Sequence, residues 1–248
     1  PLLGGYLAQH YHYQSIFVFL SIVGLVLLIA HLFYLPETRP EQKQSVKSLS
    51  AMRQVLAAPE GKSVFVISFM VFYNYFCLLV FLPLIAFHLY HLNSSEIGGL
   101  YVPMSIALVL GSYLYRKVCH LFSAEYGVII TSCINLAMLS LFALFWQISL
   151  PIMLILTVLY GLSLGLTMPT HTTLLTSHFS SVRATAMGIY NFIRYCGMAA
   201  GPMVASYFVT DNHYQYVFYS CVILTSLALC FAIKTLLSTL KQQRQTID

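Results

Sequence analysis

Long apolar stretches alternate with short polar ones along the whole chain. Runs free of Asp, Glu, Lys and Arg cover residues 15–35, 63–90, 97–115, 127–150 and 152–175. A sixth run, 184–209, holds a single charge, Arg194, and a seventh covers 216–233. About 20 apolar residues, rising about 1.5 Å each, cross a hydrocarbon core of about 30 Å. The pattern therefore predicts seven membrane-spanning helices. Strands are not expected, because no run alternates apolar and polar with a period of two. A helix also satisfies its own backbone in lipid. Residues 1–9 read as the end of an earlier span.

The polar connections differ in charge, and the difference sets direction. Arg39, Lys43, Lys47, Arg53 and Lys62 follow the first full span. Arg116 and Lys117, then Arg183, then Lys234, Lys241 and Arg244 fall at every second connection after it. The connections between them, near 91–96, 147–150 and 210–215, carry neither Lys nor Arg. Basic residues favour the cytoplasmic side. A cytoplasmic C-terminus and a multi-pass place in the plasma membrane are expected, with lipids as the surrounding partner. Within the long connection 36–62, Val46, Leu49, Met52 and Leu56 are apolar at helical spacing, with Lys47, Ser48, Arg53 and Gln54 opposite. They predict a short helix lying on the membrane surface.

Composition changes the picture only by exclusion. The 248 residues are 8% charged, with a mean hydropathy of +0.80. Soluble domains carry about 25% charged residues. A soluble enzyme, a disordered chain and a nucleic-acid binder are excluded, the last despite a pI near 8.9. No phosphate-binding glycine loop and no metal-ligand spacing occurs, so neither ATP nor another cofactor is expected. The six cysteines lie mostly in spans, where disulfides are not expected. Pro1 is not a translation start, so an upstream part is expected.

An internal repeat sets the architecture. Displaced by 201 positions, Pro1 meets Pro202, Tyr6 meets Tyr207, His12-Tyr13-Gln14 meets His213-Tyr214-Gln215, and Phe17 meets Phe218. A parallel repeat of six spans is the symmetry of transporters built from two six-helix halves. The expected divisions are 1–35, the end of a first half; 36–62, a cytoplasmic linker; 63–233, a complete six-helix bundle; and 234–248, a tail. The preceding helices of the first half are an expected partner from the same chain.

Pro1, Gly4 and Gly5 match the last half of the signature G-x-x-x-G-P-x-x-G-G. Gly197, Gly201 and Pro202 stand at the corresponding place in the second copy, and Leu35-Pro36-Glu37-Thr38 follows the sixth helix. In these features the whole chain resembles the major facilitator superfamily, in its twelve-helix drug:proton antiporter branch, from the end of helix five to helix twelve. The resemblance implies an all-α major facilitator fold that alternates access across the membrane. It also implies that the glycine–proline bend closes the outer end and biases transport toward export. The segment 111–117 resembles a decayed copy of the superfamily's cytoplasmic loop motif, with Tyr115 at its acidic position.

Candidate site residues follow from burial in lipid. Arg194 is the only charge inside a span, and such a residue faces the bundle interior. Tyr190 and Asn191 share its helix face. Phe65, Phe69, Phe72 and Phe76 form an aromatic stripe on the helix that also carries Tyr73 and Asn74. Such a wall suits bulky apolar or cationic compounds. Tyr73, Asn74, Tyr101, Tyr190, Asn191 and Arg194 are the expected substrate-binding residues. Pro1, Gly4, Gly5, Gly197, Gly201 and Pro202 are expected in the antiporter motif and in helix packing. Pro83, Pro103 and Pro169 are expected to break their helices. All carboxylates lie in connections or at span ends, so proton-carrying groups are expected upstream, with His171 the titratable candidate here. The reading is a monomeric, non-enzymatic, proton-coupled efflux carrier for small amphipathic compounds. An uptake carrier for a sugar or other metabolite is the alternative; a seven-helix receptor and an inactive fragment stand behind it.

Overall fold

The polar connections carry the signals that start and stop each helix. In the computed structural model, which describes residues 2–36, 48–209 and 214–245, nine α-helices follow one another among the described residues. They are α1 (Leu2–His10), α2 (Gln14–Tyr34), α3 (Ser48–Ala57), α4 (Pro59–Tyr90), α5 (Ser94–Val118), α6 (Ala124–Phe145), α7 (Leu150–His178), α8 (Arg183–Ala205) and α9 (Gln215–Gln245). Pro59 opens α4, where a missing N–H costs nothing. Asn93 and Glu96 form a reciprocal capping box on α5, the Asn93 side chain accepting from the Ser95 and Glu96 amides. α4 stops at His91, which adopts the left-handed conformation at φ 52°. Pro1, Glu37, Thr38, Val46, Lys47 and His213, used in the sequence reading, lie outside the described residues.

One expectation needs correcting. Pro83, Pro103 and Pro169 do not break their helices: α4, α5 and α7 run on through them. A transmembrane helix tolerates proline where neighbouring helices and hydroxyls take up the freed groups. Here Pro169 frees the Gly165 carbonyl, and the Ser112 hydroxyl of neighbouring α5 donates to it at 3.1 Å. By length and composition alone, six described helices are apolar enough to cross a membrane, namely α2, α4, α5, α6, α7 and α9. The seventh expected span, α8, has 23 residues but is rich in Ala, Gly, Tyr and Arg. It lies along α4, so part of its surface meets protein.

α3 forms and buries Ala51 and Val55 against the bundle. Leu49, Met52 and Leu56, the apolar stripe read from the sequence, are exposed, Leu49 at 80%. Small residues win the protein side because Gly61 lets the Val55 backbone come close beside Phe179 and Phe65.

α4 is the hub, packing against α8, α9, α7 and α6, while α5 runs along α7 and α6 bridges α7 to α9. Phe142, Trp146, Tyr160 and Phe218 are buried, with the Phe142 and Phe218 rings 4.9 Å apart, edge to face, where α6 ends and α9 begins. Glycines set the two closest seams. Gly111 and Gly165 bring the backbones of α5 and α7 together. Gly197 and Gly201 lie against the Phe69 and Tyr73 carbonyls of α4. α1 packs on α5, and α2 packs on α1 and buries none of its own residues. The starts of α2 at Gln14 and α9 at Gln215 keep the 201-residue displacement of the repeat.

Candidate functional site

Arg194 is the twelfth residue of α8, roughly 16 Å along the axis from Arg183 at 1.5 Å per residue. α8 faces α4 through Gly197 and Gly201, and the same seam carries Arg194 onto the α4 aromatics. Its guanidinium carbon stands 4.9 Å from the Phe72 ring centre, 5.1 Å from Tyr195 and 5.9 Å from Tyr190. Rings at this range attract a cation but accept no ordinary N–H hydrogen bond. Nη2 reaches the Tyr195 hydroxyl at 3.4 Å, and the buried Nε has no hydrogen-bond partner. The ion pairs among the described residues are those of His178, so none reaches Arg194.

Behind Tyr190 lies His171 of α7, the two rings edge to face at 6.3 Å. His171 is fully buried and neither ring nitrogen has a partner. Tyr190 is buried, Asn191 partly so, and Tyr195 is exposed. Arg194, Tyr190 and Asn191 thus share one region, together with Phe72 and Tyr195, which were not among the expected binding residues.

The other expected residues point elsewhere. Asn74 donates to the Thr225 hydroxyl of α9 at 2.7 Å, on another face of α4. The Tyr101 hydroxyl donates to the Leu79 carbonyl at 2.8 Å and ties α5 to α4. Tyr73 is buried beneath Gly201, its hydroxyl without a partner. Gly5 sits where a Cβ would stand 2.6 Å from the Ser94 carbonyl and 3.3 Å from the Gly98 Cα, while Gly4 has open space. Pro202 is inside α8, and Pro1 lies outside the described residues.

The family profile described as Major Facilitator Superfamily matches residues 1–196 and, in a second alignment, 64–246. The chain belongs to the major facilitator superfamily. No curated protein sequence matches it. Among solved structures it is similar to a bacterial homolog to the human lysosomal transporter Spinster, in an inward-facing and unoccupied conformation. The TM-score is 0.62 at 16% identity, over 96% of this chain and 63% of that one. The chain therefore spans less than two thirds of the length of the solved relative it matches.

One charged cluster of this superfamily member was not foreseen. At the end of the bundle where α4 and α6 begin and α7 ends, His178 Nε2 lies 3.4 Å from Glu125 and 4.0 Å from Glu60. Both carboxylates are in the first turn of their helices and the histidine is in the last turn of its own, each the favourable end of a helix dipole. Their positions at the ends of spans on one side were the available signal. Among the described residues no group of three or more His, Cys, Asp or Glu is placed to hold a metal ion. Two apolar hollows of about 420 and 440 Å³ lie beside α6 and between α3 and α8, and neither is lined by an expected binding residue.

Proposed function

We propose that the chain forms the C-terminal part of a proton-coupled secondary transporter that exports small amphipathic compounds by alternating access. The transporter acts as a monomer in the plasma membrane with its C-terminus in the cytoplasm. Its substrate contacts Tyr190, Asn191 and Arg194 from the interface between two six-helix halves. The observation that carries this reading is the mid-helix Arg194, seated among aromatic rings without a countercharge. A charge at the centre of a span costs about 3 kcal/mol by insertion scales. A lipid-facing helix gains nothing to offset that, whereas a helix lining a wet cavity does.

Export is supported by Gly5. Its seat against Ser94 joins α1 to the start of α5 with no room for a side chain. In the resemblance described above, such a contact closes the outer end. Everted vesicles carrying the full-length protein test the proposal. Acidifying their lumen drives accumulation of an amphipathic fluorescent compound, and a protonophore abolishes it. Accumulation that ignores the proton gradient, or that occurs only in right-side-out vesicles, refutes it.

A further inference from the structure

The guanidinium of Arg194 has five N–H donors in a planar fork. The protein supplies a long contact from Nη2 to the exposed Tyr195 and a side-chain hydrogen bond with Tyr190, and it leaves the buried Nε unused. The rings of Phe72, Tyr190 and Tyr195 surround it, which disperses its charge but brings no opposite charge to the guanidinium. The described carboxylates, Glu60, Glu96 and Glu125, all sit in the first turns of their helices, far along the axis from mid-span. His171, one ring behind, adds two more unpartnered nitrogens in a fully buried position. Buried donors and charges are normally paired.

The geometry points to an anionic group on the transported compound, a carboxylate, sulfonate or phosphate, gripped by Arg194 while its apolar body lies on Phe72 and Tyr195. This inference rests on the transport reading above and reverses the charge that an aromatic wall alone suggests. A cationic compound would meet Arg194 with its own sign. An anion takes the two parallel N–H bonds that Arg makes with planar oxyanions. The rings hold the guanidinium, so little side-chain freedom is lost when the anion arrives.

A matched series tests it: decanoate, decanamide and decyltrimethylammonium, which share a tail and differ in charge. Binding is measured on the full-length protein in phosphatidylcholine nanodiscs. Decanoate binds roughly tenfold or more tighter than decanamide, and decyltrimethylammonium binds weakest. Arg194→Gln removes the preference for decanoate over decanamide. Arg194→Lys keeps part of it, which guards against a folding defect in the glutamine variant. Equal binding of the acid and the amide by the unaltered protein overturns the inference without any variant.

A lipid phosphate could offer the same chemistry. Competition by phosphatidylglycerol, with decanamide but not decanoate exported from vesicles, assigns Arg194 to a resident lipid and overturns the inference. Arg194-dependent binding of decanoate with no probe moved in either direction upholds the anion site and removes the transport reading instead.

Discussion

The Asn74 amide donates to the Thr225 hydroxyl at 2.7 Å, joining α4 to α9 across 151 residues of sequence. Thr225 passes the bond on to the Cys221 carbonyl, also at 2.7 Å. Interhelical bonds of this kind in membranes average about 0.6 kcal/mol, with a maximum near 1.7. Losing one partner costs more than losing both, because a buried amide is left alone. Thr225→Val lowers stability by about 1 kcal/mol in detergent unfolding, and adding Asn74→Leu restores most of it. Additive losses in the double variant would show that the pair does not act as a unit.

Gly201 and Gly188 lie on the same helix in opposite circumstances. A Cβ at Gly201 would stand 2.5 Å from the Tyr73 carbonyl, while nothing lies within 4 Å of Gly188. Gly201→Ala costs about 1–3 kcal/mol through forced separation of α4 and α8. Gly188→Ala is neutral or slightly stabilising. Thermal unfolding of the two variants side by side gives the comparison.

Glu125 and His178 meet at 3.4 Å with both side chains largely covered, Glu125 at 10% and His178 at 26% exposure. A double-mutant cycle of Glu125→Gln and His178→Gln yields a coupling of about 1 kcal/mol. Zero coupling would reduce the contact to mere proximity. Glu60, at 4.0 Å, contributes less.

The capping box at Asn93 supports two structures at once. It satisfies the first amides of α5, and the next residue, Ser94, offers the carbonyl on which Gly5 of α1 rests. Asn93→Ala lowers stability by about 1 kcal/mol. It also speeds hydrogen exchange at the Ser95 and Glu96 amides, measured by mass spectrometry. Unchanged exchange there would mean that the cap is redundant.

Run length made most of the bundle readable in the sequence. Apolar runs mark α2, α4, α5, α6, α7 and α9 because lipid demands both composition and length. α8 was readable as a span only because its single internal charge was tolerated; by apolarity alone it falls short, since α4 covers one of its faces. Helix ends moved where local chemistry decided them: Pro59 starts α4 four residues before the apolar run, and Asn93 starts α5 three residues before its own. In the site, periodicity placed Tyr190, Asn191 and Arg194 together, being one turn of one helix. It could not show that Asn74 turns to α9 and Tyr101 to the α4 backbone, since those depend on which helices become neighbours. His178, Glu60 and Glu125 escaped notice because each alone is an ordinary helix-end charge.

α2 is apolar on every side, so nothing in its sequence tells it which way to rotate. Only residues 11–13 separate it from α1, which is itself anchored on α5. That short hinge ties the placement of α2 to the seat of α1 on α5. Two glycines spliced between Tyr11 and Tyr13 would leave α2 spanning the bilayer as before, yet uncouple its rotation from that of α1.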